Sequence, residues 1–188
     1  MYESLNEHNR TILVREMEIW GVTEELSSKV MTLLDKTDFF VAPASTRYHG
    51  SYPGGLFEHS LAMAQLLMNW TTRGLLSWER HESPLLVGIL HDFCKANKYL
   101  PEPFAEEDNP GYTYNPDAIS YGLHGAESVI RVALEVPITE EEAMCIRWHM
   151  GAYEGKEVWS DWDKAIHQYA NVLWTHHADM VVSKILGV

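Results

Sequence analysis

The chain has 188 residues, 46% of them hydrophobic and 22% charged, which is enough to bury one core and short for two domains. Its net charge of −13 repels polyphosphate backbones at long range and counts against extended RNA or DNA as the main ligand. A small phosphate ester stays admissible, because bound metal ions invert the local potential. No apolar run approaches the roughly 20 residues of a membrane span. The first ten residues are polar and acidic, and the two cysteines, Cys94 and Cys145, are too few for a disulfide framework. These features are read as a cytoplasmic protein with buried free thiols.

In chain order, Leu5, Ile12, Ile19 and Trp20 make a partial apolar stripe that predicts a helix over 3–20. Thr23 is placed to N-cap a second helix over 24–34. Pro43, Gly50, Pro53, Gly54 and Gly55 make 41–55 a loop. The strongly apolar segment 56–67 then predicts a helix carrying His59. Ser83-Pro84 reads as a helix start, with Ser as N-cap and Pro at the first helical position. This helix is expected to run to about Asn97 and to carry His91, Asp92 and Lys95. Pro101, Pro103, Pro110, Gly111 and Pro116 lie among clustered Asp and Glu, so 99–121 reads as a long loop, part of an insertion over 96–121. A helix over 124–134 follows. Thr139-Glu140-Glu141-Glu142 is read as a capping box opening a helix to about Met150, with its acidic residues in a solvated first turn. After a loop over 151–160, Ser160 is expected to cap one last helix over 161–185. No sustained period-2 pattern is present, so the expected fold class is all-α, an irregular bundle of about seven helices. Residues 1–40 are read as a helical extension of a single domain.

Histidine and aspartate concentrate the chemistry. His91-Asp92 ends the apolar run Leu85-Leu86-Val87-Gly88-Ile89-Leu90, and Lys95 follows. His59 stands in Glu58-His59-Ser60, His124 in Leu123-His124-Gly125, His149 in Trp148-His149-Met150 and Asp179 in His176-His177-Ala178-Asp179. Four histidines and two aspartates in helix-compatible settings read as a metal site built from several helices. Imidazole with carboxylate suits Mn, Fe, Ni, Co or Zn, and Mg at a carboxylate-rich position. A bridging carboxylate can hold two ions about 3.5–4 Å apart, which stabilises both the attacking and leaving oxygens of a phosphoryl displacement. Asp92 is the natural bridge. Helix neighbours diverge by about 100°, so His91 and Asp92 share an ion only across the edge between them. Lys95, one turn beyond Asp92, is placed to contact a phosphoryl oxygen or the leaving group. His176 either orients a ligand or lies at the surface. Trp148 and Trp174 read as core residues.

These residues resemble the HD-domain metal-dependent phosphohydrolases. His59, His91-Asp92 and Asp179 fall in that family's order over about residues 43–185, and His124 and His149 match its two-metal subgroup, which includes the HD-type phosphodiesterases. The stretch Tyr48-His49-Gly50-Ser51-Tyr52-Pro53-Gly54-Gly55-Leu56-Phe57-Glu58-His59-Ser60-Leu61 is similar to the matching part of bacterial 3′-to-5′ exoribonucleases that carry an HD domain. The stretch from His91 through His124-Gly125 to Ile146-Arg147-Trp148-His149-Met150-Gly151 is closer to uncharacterised HD hydrolases of bacterial and phage genomes.

The resemblance implies an HD bundle with divalent metal ions, two in number, held by His59, His91, Asp92, His124, His149 and Asp179. It implies hydrolysis of a phosphomonoester or phosphodiester of a nucleotide, or of another small phosphate ester, by metal-activated water. Asp92 and Lys95 are then catalytic, and Lys95, His49, Arg47 and Arg147 contact the substrate. Two other readings stand beside this one. A nuclease trimming short single-stranded RNA or DNA would use a local basic patch of Arg47, Lys95, Lys98 and Arg147. A metal-binding regulatory module without turnover would not need Lys95 and all six ligands.

Overall fold

The structure is a computed structural model describing residues 2–102 and 111–188. Among the described residues it is an all-α bundle of eight helices with one small hairpin. Helices α1 (Tyr2–Trp20) and α2 (Glu24–Asp35) bury Leu13, Met17, Val30 and Leu34 in the same core as the rest of the chain. The hydroxyl of Thr23 caps α2 by accepting from the Leu26 amide at 3.4 Å. Phe39, Phe40 and Phe57 pack edge-on or tilted, with centroids 5.5–6.4 Å apart, under the loop that leads to the next helix. No helix of the described residues is long and apolar enough to cross a membrane.

The central pair is α3 (Gly55–Thr72) and α4 (Ser83–Leu90). All eight residues of α4 are buried, so it reads apolar on every face rather than amphipathic. Its backbone lies directly on α3. A Cβ at Gly88 would come within 2.3 Å of the Ala64 Cα and 2.4 Å of the Ala64 nitrogen. Pro84 sits in the first turn as expected, but Ser83 is already helical, and its hydroxyl donates to Glu142 at 2.8 Å.

α4 does not continue to Asn97. Asp92 leaves the helical region at φ −102° and ψ 19°, one 3₁₀ turn spans Phe93–Lys95, and Asn97 has φ +62°. Tertiary hydrogen bonds override helix propensity here. The Cys94 amide donates to the Ser128 hydroxyl at 3.1 Å, the Asn97 amide donates to the Asp38 carboxylate at 2.6 Å, and the Asp38 amide donates back to the Asn97 side chain at 3.0 Å. The segment expected to be loop then forms a hairpin of β1 (Tyr99–Pro101) and β2 (Tyr112–Tyr114), with Tyr99 opposite Tyr114. Pro103 and Pro110 of the expected insertion lie outside the described residues.

Helices α5 (His124–Ala133) and α6 (Glu140–Trp148) follow, and the capping box at Thr139 and Glu142 is present. The acidic first turn of α6 is not solvated. Glu142 is wholly buried and accepts from Arg80 Nε at 2.7 Å and Nη2 at 2.8 Å. Glu141 accepts from the Glu79 amide and the Asn171 side chain, both at 2.8 Å. The two carboxylates bind the preceding connection to the last helices, a task that local charge patterning does not reveal.

The last helix is also divided. α7 (Trp159–Gln168) begins before Ser160, and α8 (Asn171–Val181) is followed by a π turn over Val182–Leu186. The break at Tyr169 lets the buried Asn171 side chain reach the Ser77 carbonyl at 2.7 Å. Trp148 joins the core, but Trp174 is 38% exposed and meets Trp70 edge-on at 5.7 Å.

Gly88→Ala is expected to destabilise the fold by about 1–3 kcal/mol, because the added methyl forces α3 and α4 apart. A lower urea midpoint at an unchanged slope is the result that checks this.

Candidate metal centre

Five helices bring the predicted ligands together. His59 comes from α3, His91 from the residue ending α4, His124 from the first residue of α5, His149 from the residue ending α6, and Asp179 from α8. Asp92 follows His91 at the break and is 2% exposed. Because the break removes Asp92 from the helical path, the constraint of two neighbours on one helix face does not apply.

Three imidazoles are locked in one tautomer by backbone oxygens. His91 Nδ1 lies 2.8 Å from the Gly88 carbonyl, His149 Nδ1 2.7 Å from the Ile146 carbonyl and His59 Nδ1 2.9 Å from the Val188 backbone oxygen. A carbonyl only accepts, so each Nδ1 carries the proton and, in the neutral ring, each Nε2 is a bare lone pair. In two cases the acceptor is a carbonyl in the last turn of the helix that the histidine terminates, one of the groups that a helix end leaves without an intrahelical partner.

All three lone pairs turn inward onto carboxylates. His59 Nε2 is 3.1 Å from His91 Nε2, 3.3 Å from Asp179 Oδ1 and 3.6 Å from Asp92 Oδ2. His91 Nε2 is 3.5 Å from Asp92 Oδ2, and His149 Nε2 is 3.4 Å from Asp92 Oδ1. His149 Nε2 is buried without a hydrogen-bond partner. Acceptors facing acceptors at these distances repel one another unless a cation lies between them, so the donor set fits a metal ion. The donor atoms of His59, His91 and Asp179 converge, as do those of His91, Asp92 and His149, and those of Asp92, Cys94 and His124. All six predicted ligands fall within these groups. Cys94 joins them, although the sequence reading treats it as an inert thiol.

Asp92 meets a hydrogen-bond donor at each oxygen. Lys95 Nζ is 2.7 Å from Oδ2, and His124 Nε2 is 2.6 Å from Oδ1. Burial alone would raise the Asp92 pKa, but Lys95, His91 and His124 outweigh it and hold the carboxyl well below its ordinary range. Burial likewise acts to lower Lys95, yet Asp92 prevails and raises it, so Lys95 stays an ammonium. Burial pushes His91 down, whereas at His149 the pull of Asp92 overcomes burial and raises the pKa. At Asp179, burial acts to raise the pKa, but the imidazoles of His59, His91 and His149 outweigh it and lower it. Burial pushes the Cys94 thiol up to about 12.

The centre floors a cleft of about 410 Å³. His49 faces it with its ring 4.9 Å from that of His59, and burial together with the nearby Lys95 and His59 lowers its pKa to about 4, leaving it neutral. Arg47 is exposed and does not line the cleft. Arg147 pairs with Glu154 at 2.7 Å, lies 4.0 Å over the Trp148 ring and is likewise absent from the lining. Sequence reasoning misses Lys184 and the cleft-lining tyrosines Tyr48, Tyr99, Tyr114 and Tyr153. They lie in short or irregular segments whose facing no periodicity reveals. His176 is buried and donates to the His149 carbonyl at 2.8 Å, so it orients the ligand's backbone. Gly151, at φ +49°, packs so closely on the His176 ring that a Cβ would come within 2.5 Å of it.

No family model matches the chain, and no curated protein or solved structure shows significant similarity to it.

The purified protein is expected to hold up to two transition-metal ions per chain, because one carboxylate can bridge a pair. Elemental analysis should find that Asp92→Ala removes both. His124→Ala and His149→Ala should each lose one and keep the other, and a double change of His59 and Asp179 should remove the remaining one. Unchanged stoichiometry in His124→Ala and His149→Ala would refute the two-ion arrangement.

Proposed function

We propose that the chain is a metal-dependent phosphohydrolase of the HD type, cleaving a phosphomonoester or phosphodiester of a nucleotide or another small phosphate ester. One observation carries this reading: His59, His91 and His149, each with a protonated Nδ1, aim unprotonated Nε2 atoms at Asp92 and Asp179 on the floor of an open cleft that also holds the Lys95 ammonium. The order His59, His91-Asp92, Asp179 supports the family reading from the sequence.

His59, His91, Asp92, His124, His149 and Asp179 would hold divalent ions, which when bound would supply Lewis-acid stabilisation of phosphoryl oxygens and lower the pKa of water. The chain's own residues do the rest. Asp92 is the carboxylate shared by the ligand groups. Lys95 is fixed as an ammonium by its contact with Asp92 and neutralises charge developing on the phosphoryl group. Neutral His49 offers a hydrogen bond to substrate. The tyrosines give apolar faces for the organic part of the ester, and Lys184 adds a second cation.

The nuclease reading draws little support from its basic patch. Lys98 is paired with Glu127 and Arg147 with Glu154, and neither they nor Arg47 line the cleft, so Lys95 is the one member of the patch that faces it. A module without turnover would leave unexplained a half-buried ammonium on the shared carboxylate, facing the cleft.

A metal-supplemented screen of nucleotides, cyclic nucleotides and short RNA tests the activity, and no hydrolysis of any phosphate ester would overturn it. Lys95→Ala is expected to keep its metal content while turnover falls about 10²-fold. A parental rate in that variant would remove Lys95 from the mechanism.

A further inference from the structure

We propose that Cys94 is itself a metal ligand, joining Asp92 and His124 in a mixed oxygen, sulfur and nitrogen site that selects a thiophilic ion such as Zn or Co over Mg. The inference rests on the metal-centre part of the proposed function and not on phosphate-ester hydrolysis.

The geometry suits a shared ion. Cys94 Sγ lies against the His124 ring, 3.4 Å from Nδ1 and 3.5 Å from Nε2, and the donor atoms of Asp92, Cys94 and His124 all lie within 4.8 Å of one another. A tetrahedral ion with bonds of about 2.0 Å to nitrogen and about 2.3 Å to sulfur separates those two donors by about 3.5 Å. His124 Nε2 and Asp92 Oδ1 are closer, at 2.6 Å, because they share a proton. Metal binding at Nε2 moves that proton to Nδ1 of His124 and releases the thiol proton to solvent, and the two atoms part to ligand spacing.

The thiol is held in place. The Cys94 amide donates to Ser128, its carbonyl accepts from Arg131 at 3.2 Å, and the Arg131 guanidinium lies 4.5 Å over the Phe93 ring. A second observation comes from the same end of the cluster. His149 Nε2 is buried, has no partner, and faces the same Asp92 oxygen at 3.4 Å that His124 contacts. A side cavity of about 210 Å³ touches both Cys94 and His124, which leaves space for a further ligand on the ion. Thiolate donors favour Zn and related soft ions, whereas Mg takes oxygen. Cys145 is a built-in control: it is buried in α6 and belongs to none of the convergent donor groups.

The test is titration of the metal-free full chain with Co(II). The parent and Cys145→Ala are expected to develop a near-ultraviolet thiolate-to-cobalt charge-transfer band, and Cys94→Ser to lose it and bind one ion about tenfold or more weakly. X-ray absorption of the zinc-loaded parent should find one sulfur neighbour at about 2.3 Å, which decides the matter even if Cys94→Ser does not fold. Cobalt bound with no such band, and zinc with only nitrogen and oxygen neighbours, would overturn the role of Cys94 and leave the metal centre standing. A band that survives Cys94→Ser but vanishes in Cys145→Ala would also overturn it. Failure to bind cobalt or zinc at all would overturn the metal centre together with this proposal.

Discussion

Taking a carboxylate out of water costs several kcal/mol unless opposite charge and hydrogen bonds offset it. Asp92 is such a carboxylate, with Lys95 on one oxygen and His124 on the other. Its surroundings explain much of the architecture. α4 has to stop at Leu90 so that the carboxylate can turn away from the helix axis, and α3, α5, α6 and α8 each direct a histidine or aspartate toward the same region. The bundle is organised about this point more than about any pair of parallel helices.

Helix termination and metal chemistry use the same atoms here. A helix that ends leaves carbonyls without intrahelical partners. His91 and His149 each terminate a helix and use a carbonyl of its last turn as the acceptor for Nδ1. One hydrogen bond satisfies the orphan carbonyl, fixes the ring rotation and selects the tautomer that leaves Nε2 free. His59 lies inside its helix, where carbonyls are already engaged, and obtains its acceptor from Val188 instead.

What the sequence reveals is what short-range chemistry decides. Thr23, Pro84 and the capping box of Thr139 and Glu142 act within one turn and are legible from spacing. The six candidate ligands stand out because histidine and aspartate are uncommon beside apolar runs. The break after α4 is not legible, since it depends on Ser128 and Asp38, which lie 34 and 59 positions away. Cys94 is hidden for the same reason. On a continuous helix it would point away from Asp92, as residues two apart do not share a face. The burial of Glu141 and Glu142 likewise depends on Arg80, Glu79 and Asn171, which only the tertiary fold supplies.

The close contact of Gly88 with Ala64 has a consequence beyond packing. His59 lies on the turn of α3 before Ala64, and His91 follows Gly88 on α4, so the separation of the two backbones sets the gap between the two imidazoles. That gap, 3.1 Å between the two Nε2 atoms, is thereby held by the main chain. Any change that opens α3 from α4 would carry the two imidazoles apart, so the candidate site can be altered at this contact without touching a ligand side chain.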